Sequence, residues 1–130
     1  MKRILLPIFL GALLCVAACS RQSDRLTHAS ARQAAERYFT MLIDGRYDAY
    51  VDGLIGSDSM PDDMRSQMID LLAQFMVQQR VNRDLLHVTA TSDSIKDSTA
   101  YVYLDILYGD SVSEQVGMSL QFIGNRWRMQ

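Results

Sequence analysis

The chain has 130 residues, 48% of them hydrophobic, with 13 basic and 15 acidic side chains and two cysteines. That length accommodates one domain rather than two. A net charge of −2 with no Lys/Arg-rich patch argues against nucleic acid as a partner, because phosphate binding needs clustered positive charge.

Lys2 and Arg3 precede an almost wholly apolar run from Ile4 to Val16, which ends in the small residues Ala17 and Ala18. A charged start, an apolar run of roughly 7–15 residues and a small-residue cleavage site describe a secretory signal peptide. The run falls short of the roughly 20 apolar residues that a bilayer-spanning helix needs. Val16-Ala17-Ala18-Cys19 resembles the bacterial lipobox, in which an aliphatic and two small residues precede an obligatory cysteine. The plainer alternative is an incidental cysteine in an ordinary signal peptide. The resemblance implies cleavage between Ala18 and Cys19 and a diacylglycerol on the Cys19 thiol, followed by acylation of the new N-terminus. Ser20 stands where many lipoproteins kept at the inner membrane carry Asp, so the same resemblance implies delivery to a bacterial outer membrane.

On this reading residues 1–18 are a signal peptide, 19–29 a lipidated cysteine and polar tether, and 30–130 one domain. Cleavage takes Lys2 and Arg3 from the basic side chains, leaving 11 against 15 acidic. Cys15 leaves with the signal and Cys19 is consumed by lipid, so the exported domain must rely on its core without a disulfide. Ser20 to Thr27 is polar and as flexible chain spans on the order of 15 Å.

A first helix is expected from Ser30, where Ser30-Ala31-Arg32-Gln33 fits a capping box. Ala31, Ala35, Tyr38 and Leu42 repeat at helical spacing with Phe39 beside them, and Gly45 suits a left-handed helix end. A shorter helix is expected over Tyr47 to Leu54. A third is capped by Ser59, with Pro61 in its first turn and Asp62 and Asp63 at the positive end of its dipole. Its Met60, Met64, Met68, Leu71, Leu72, Phe75 and Met76 form an apolar face, read as core or as the lining of a soft ligand pocket.

From Leu85 the period becomes two. Leu86, Val88 and Ala90 alternate with polar residues, and a polar turn is expected around Asp93 to Asp97. Ala100, Val102, Leu104 and Ile106 then share one face, Gly109-Asp110-Ser111 signals a hairpin, and Val116, Met118, Leu120 and Phe122 share the next inner face. Gly124-Asn125 starts a last turn, after which Trp127 and Met129 oppose Arg126 and Arg128. Helices followed by a four-stranded antiparallel meander make an α+β domain, with the helices covering the apolar face.

The amphipathic first helix running into Leu42-Ile43-Asp44-Gly45-Arg46-Tyr47-Asp48 resembles the nuclear transport factor 2-like, or cystatin-like, cone superfamily. Gly124-Asn125-Arg126-Trp127-Arg128-Met129 is similar to the final strand of its short bacterial lipoprotein members, several of them in families of unknown function. Enzymes of that superfamily place a carboxylate or a His–Asp pair inside the cone. Here the inner positions from Ala100 to Ile106 and from Val116 to Phe122 carry nothing ionisable. Asp105 has the opposite parity, and only a bulge would turn it inward.

His87 lies on the outer parity, His28 beside the tether, and two separated histidines make a poor metal set. Asp58, Asp62 and Asp63 lack the spacing of a calcium loop and are read as caps and dipole complements. No catalytic residue, metal or cofactor is expected. Tyr101 and Tyr103 share the outer face of a central strand and form either an interaction surface, including a homodimer face, or ordinary surface tyrosines.

The leading functional expectation is a non-enzymatic lipoprotein module, anchored to the membrane by lipid, that binds a protein partner or a small apolar ligand. The alternative is a dehydratase- or isomerase-like enzyme whose base is Asp44, Asp48 or Asp105. A third reading is a structural role in envelope assembly. Cys19→Ala should abolish incorporation of labelled lipid and leave unprocessed precursor. Normal cleavage with retention in the membrane fraction would refute acylation at this residue.

Overall fold

The computed structural model describes residues 25–82 and 84–130. The signal segment and the lipobox Val16 to Cys19 lie outside the described residues. Four helical segments lead into four strands: α1 (His28–Ile43), α2 (Tyr47–Asp52), a 3₁₀ turn (Ser57–Ser59), α3 (Asp62–Asn82), β1 (Leu85–Lys96), β2 (Thr99–Tyr108), β3 (Ser113–Ile123) and β4 (Arg126–Met129). The strands form one antiparallel sheet in the order β1-β2-β3-β4. This is the α+β meander expected from the sequence, and its inner face is the expected one: Ala100, Val102, Leu104, Ile106, Leu120, Trp127 and Met129 are all buried. Among the described residues the main hydrophobic cluster runs from Ala31 to Met129. Among the described residues no helix is long and apolar enough to cross a membrane.

The first helix is capped three residues earlier than the pattern suggested. Thr27, in extended backbone, is the N-cap: its hydroxyl accepts from Ser30 N at 3.1 Å, and Ser30 Oγ accepts from Thr27 N at 3.3 Å. The box is therefore Thr27/Ser30 rather than Ser30/Gln33, and His28, expected in or beside the tether, is the first helical residue. Its ring bonds Asp93, whose carboxylate also takes Arg32 Nε at 3.3 Å. These two partners help hold Asp93 in a strand. That bears on a second correction, because β1 runs on through Lys96 where a turn was expected around Asp93 to Asp97. The actual turn is Asp97-Ser98, with Asp97 at φ 55°.

Ala31, Ala34 and Ala35 let α1 approach the sheet closely, and Tyr38 and Leu42 complete its buried stripe. Tyr38 reaches across the core to donate its hydroxyl proton to the carbonyl of Trp127 at 2.6 Å, while Trp127 Nε1 donates to Ser30 Oγ at 2.9 Å. The aromatic pair is thus buried with its polar atoms satisfied. Behind it, the chain after α2 makes a parallel bridge to the far side of β4: Met129 N donates to Gly53 O and Ile55 N to Met129 O, both at 2.9 Å.

The third helix departs most from expectation. It starts at Asp62 after Pro61, whose carbonyl accepts from Arg65 N, and Ser59 belongs to the preceding 3₁₀ turn. Of the apolar face assigned to the core, only Met76 is fully buried; Leu71 and Phe75 are 65% and 53% exposed. The 3.6 period holds and the face is right in part: Met68 and Leu72 are half-buried and Met76 is buried, while Met64, Leu71 and Phe75 are exposed. Arg65, Ile69, Leu72 and Met76, spaced four, three and four residues apart, are the side turned inward. Arg65 sets that rotation, donating to the Asp48 carbonyl at 3.1 Å and to Asp52 Oδ1 at 2.7 Å. The helix therefore leans on α2 rather than lying flat on the sheet.

Gly53 is buried in ordinary helical backbone (φ −78°), so space rather than conformation selects it. A methyl group there would overlap the Tyr38 ring. Gly53→Ala should cost about 1–3 kcal/mol by overpacking, read as a lowered urea midpoint with unchanged slope.

Candidate functional site: the groove between helices and sheet

With α3 leaning away, the inner face of the sheet is only partly roofed. Two cavities follow from this. One, of about 280 Å³, lies between the ends of α1 and α2 and the middle of the sheet, with Phe39, Leu42, Tyr50, Leu54, Leu104 and Met118 in its wall. The other, of about 180 Å³, lies under α3 against Phe75, Met76, Leu85, Ile106, Tyr108 and Glu114. Phe39 and Val116 line both, so the two are compartments of one groove running along β3 from Ser119 to Glu114.

Among the described residues, Glu114 is the one charged side chain in the walls of this groove. Its carboxylate accepts from the Tyr108 hydroxyl at 2.9 Å. Sequence reasoning missed this pair. The inner alternation was followed to Ile106 on β2 and begun at Val116 on β3. One further step outward on each strand reaches Tyr108 and Glu114, and the observed pairing of Ile106 with Glu114 follows from the same parity.

The aspartates named for an enzymatic base do not enter the groove. Asp44 caps the C-terminal end of α1 and lines an outer hollow of about 430 Å³ with Glu36, Arg37 and Arg46. Asp48 lines another hollow, of about 310 Å³, beside Tyr47 and Ile69. Asp105 stays on the outer parity because the register between β2 and β3 is unbroken; the sheet's bulges lie in β1. His87 is exposed on the outer face, opposite Leu107. Asp58 sits in the 3₁₀ turn, and Asp62 and Asp63 sit in the first turn of α3, where their charges complement the helix dipole.

Tyr101 and Tyr103 stand on the outer face, 42% and 39% exposed, in an edge-to-face pair with ring centroids 5.1 Å apart. The hydroxyl end of Tyr101 lies over Gly117 of β3, where a Cβ would collide with it. The glycine thus gives the tyrosine a bare backbone to lie on. The outer face and the groove are separate surfaces, on opposite sides of the sheet.

Burial pushes the Tyr50 phenol above its ordinary value of 10.0, because the phenolate loses hydration inside the groove wall. The folded chain therefore keeps a proton that the unfolded chain releases. Its contribution to stability is intact below pH 10 and is lost as pH rises above it. Tyr50→Phe should accordingly lose less stability than the parent protein between about pH 8 and about pH 11, measured by urea denaturation at both.

No protein-family model and no curated protein matches the chain. A solved structure from Campylobacter jejuni, of a protein described as a candidate NTF2-like transpeptidase, superposes with a TM-score of 0.63 at 11% identity. The match covers 76% of this chain and 95% of that one. At that identity the likeness concerns the fold, and the domain has the NTF2-like α+β cone architecture.

Proposed function

We propose that this chain is an envelope lipoprotein, acylated on Cys19 and held at a bacterial outer membrane, whose NTF2-like domain is a non-enzymatic binding module. The observation that carries the binding role is the groove itself: two joined compartments lined mostly by apolar side chains, with Glu114, among the described residues, the one charged side chain at the end under α3. Ligand pockets are mostly apolar with few polar groups to fix orientation, and the Tyr108–Glu114 pair supplies such a group. The placement of Asp44, Asp48 and Asp105 outside the groove supports binding without catalysis. The lipobox pattern at Val16 to Cys19 supports the anchor, and the tether confines the domain near the bilayer.

A second surface, the Tyr101–Tyr103 pair, supports a contact with a protein partner or a second copy of the chain. Both rings are exposed and already packed against each other, so little side-chain freedom remains to be lost on docking.

The two surfaces are separable by experiment. The soluble mature domain should bind the neutral apolar probe N-phenyl-1-naphthylamine with enhanced fluorescence. Phe75→Glu should weaken that binding by about tenfold, since it sets a charge beside an apolar compartment. Phe75 is exposed, so stability should shift by no more than about 0.5 kcal/mol. Equal probe binding by parent and variant would refute the groove as the ligand site. Loss on replacing Tyr101 and Tyr103 instead would move the role to the outer face.

A further inference from the structure

The groove has a backbone wall as well as a side-chain wall. On β3, Ser119 O accepts from Gln130 N at 3.1 Å on the β4 side, whereas Phe122 N donates to Ser98 O at 2.7 Å on the β2 side. Odd-numbered residues of β3 therefore turn their N–H and C=O toward the β4 side, and even-numbered ones toward β2. But β4 pairs only with Leu120 to Ile123. Ser113, Gln115 and Gly117 consequently direct their backbone groups along the groove, with no neighbouring strand among the described residues.

The sheet's other edge is treated differently. Strand β1 carries two register shifts, and beside the second the Ala90 N–H donates to Glu36 Oε1 of α1 at 2.7 Å. Bulges and a covering helix are the usual ways of blunting an edge. The open half of β3, Ser113 to Ser119, has no proline, no lysine and no bulge.

We infer that the groove takes an extended peptide segment of a partner protein, which adds to β3 as an antiparallel strand continuing the line of β4. This rests on the groove being the binding site, as proposed above, and names its ligand. The added strand prolongs the existing β3–β4 ladder, so the geometry of pairing is already set at Leu120–Met129. Unpaired N–H and C=O groups are matched best by another backbone, and alternate side chains of that strand point inward. Neighbouring inward positions are about 7 Å apart, which suits two compartments meeting at Val116. The segment therefore carries apolar residues at alternate positions.

The probe is the blocked peptide Thr-Val-Thr-Val-Thr, titrated into the mature domain. Its valines enter the groove and its threonine amides face β3. Binding should slow amide hydrogen exchange at Gln115 and Gly117. N-methylation of the threonines should weaken binding by about tenfold. Gln115→Pro removes one groove-facing N–H without breaking a bond to β2 and should weaken binding similarly; should that variant fail to fold, the N-methylated peptide decides alone. Equal binding of the methylated peptide, or unchanged exchange at Gln115 and Gly117, overturns strand addition. If the apolar probe binds and the peptide does not, the inference fails while the groove stands. If neither binds, both fail. Concentration-dependent protection of the same amides without peptide would show the edge pairing with a second copy, and would overturn a partner segment.

Discussion

The fold depends on the tie between Tyr38 and Trp127. It joins the first helix to the last strand, 89 residues apart in sequence, and it buries two aromatic rings whose polar atoms both find partners within the protein. A buried hydroxyl or indole left without a partner would cost about 1–3 kcal/mol. The geometry is therefore narrowly set: Ser30 must lie one helical face from Tyr38, and Trp127 must present its carbonyl to one and its ring nitrogen to the other. Gly53 completes the arrangement by leaving room for the Tyr38 ring, and its own carbonyl holds Met129. Three distant stretches of chain meet at this point.

What the tie closes at one end it leaves open at the other. Drawing β4 beneath α1 fixes it against the C-terminal part of β3, and its four residues reach no further. The same α1 lies over β1, with Glu36 on Ala90 and with His28 and Arg32 on Asp93. The first helix is thereby tied to both edge strands, β1 and β4. The third helix, turned by the Arg65 contacts with α2, faces β3 only across the smaller compartment, at Glu114 and Val116. The groove and the open half of β3 have one origin, a short β4 beneath helices that only partly roof the sheet.

Where the sequence carried a strict alternation it was legible, because parity alone decides which face of a strand is buried. The inner faces of β2, β3 and β4 and the outer position of Asp105 came from that. Two kinds of feature escaped. Exposed apolar residues on α3 kept a helical period but not a unique face, since its rotation is fixed by a cation, Arg65, reaching carbonyl and carboxylate groups on α2. Asp93 and His28, each polar enough to suggest turn or tether, are ordered by each other across the fold, and no local pattern encodes a partner 65 residues away. The Tyr108–Glu114 pair was within reach of the alternation and was lost only where the inner strand was taken to end.

The start of α1 and the groove have a definite relation. Phe39, which lines both compartments, stands twelve residues beyond Thr27, or about 18 Å along the helix axis. The acylation proposed at Cys19 would therefore lie on the far side of that first turn from the ligand site. The His28–Asp93 and Ser30–Trp127 contacts fasten the first turn of α1 to the two edge strands, β1 and β4. A pull on the chain before Thr27 would fall first on those contacts rather than on the walls of the groove.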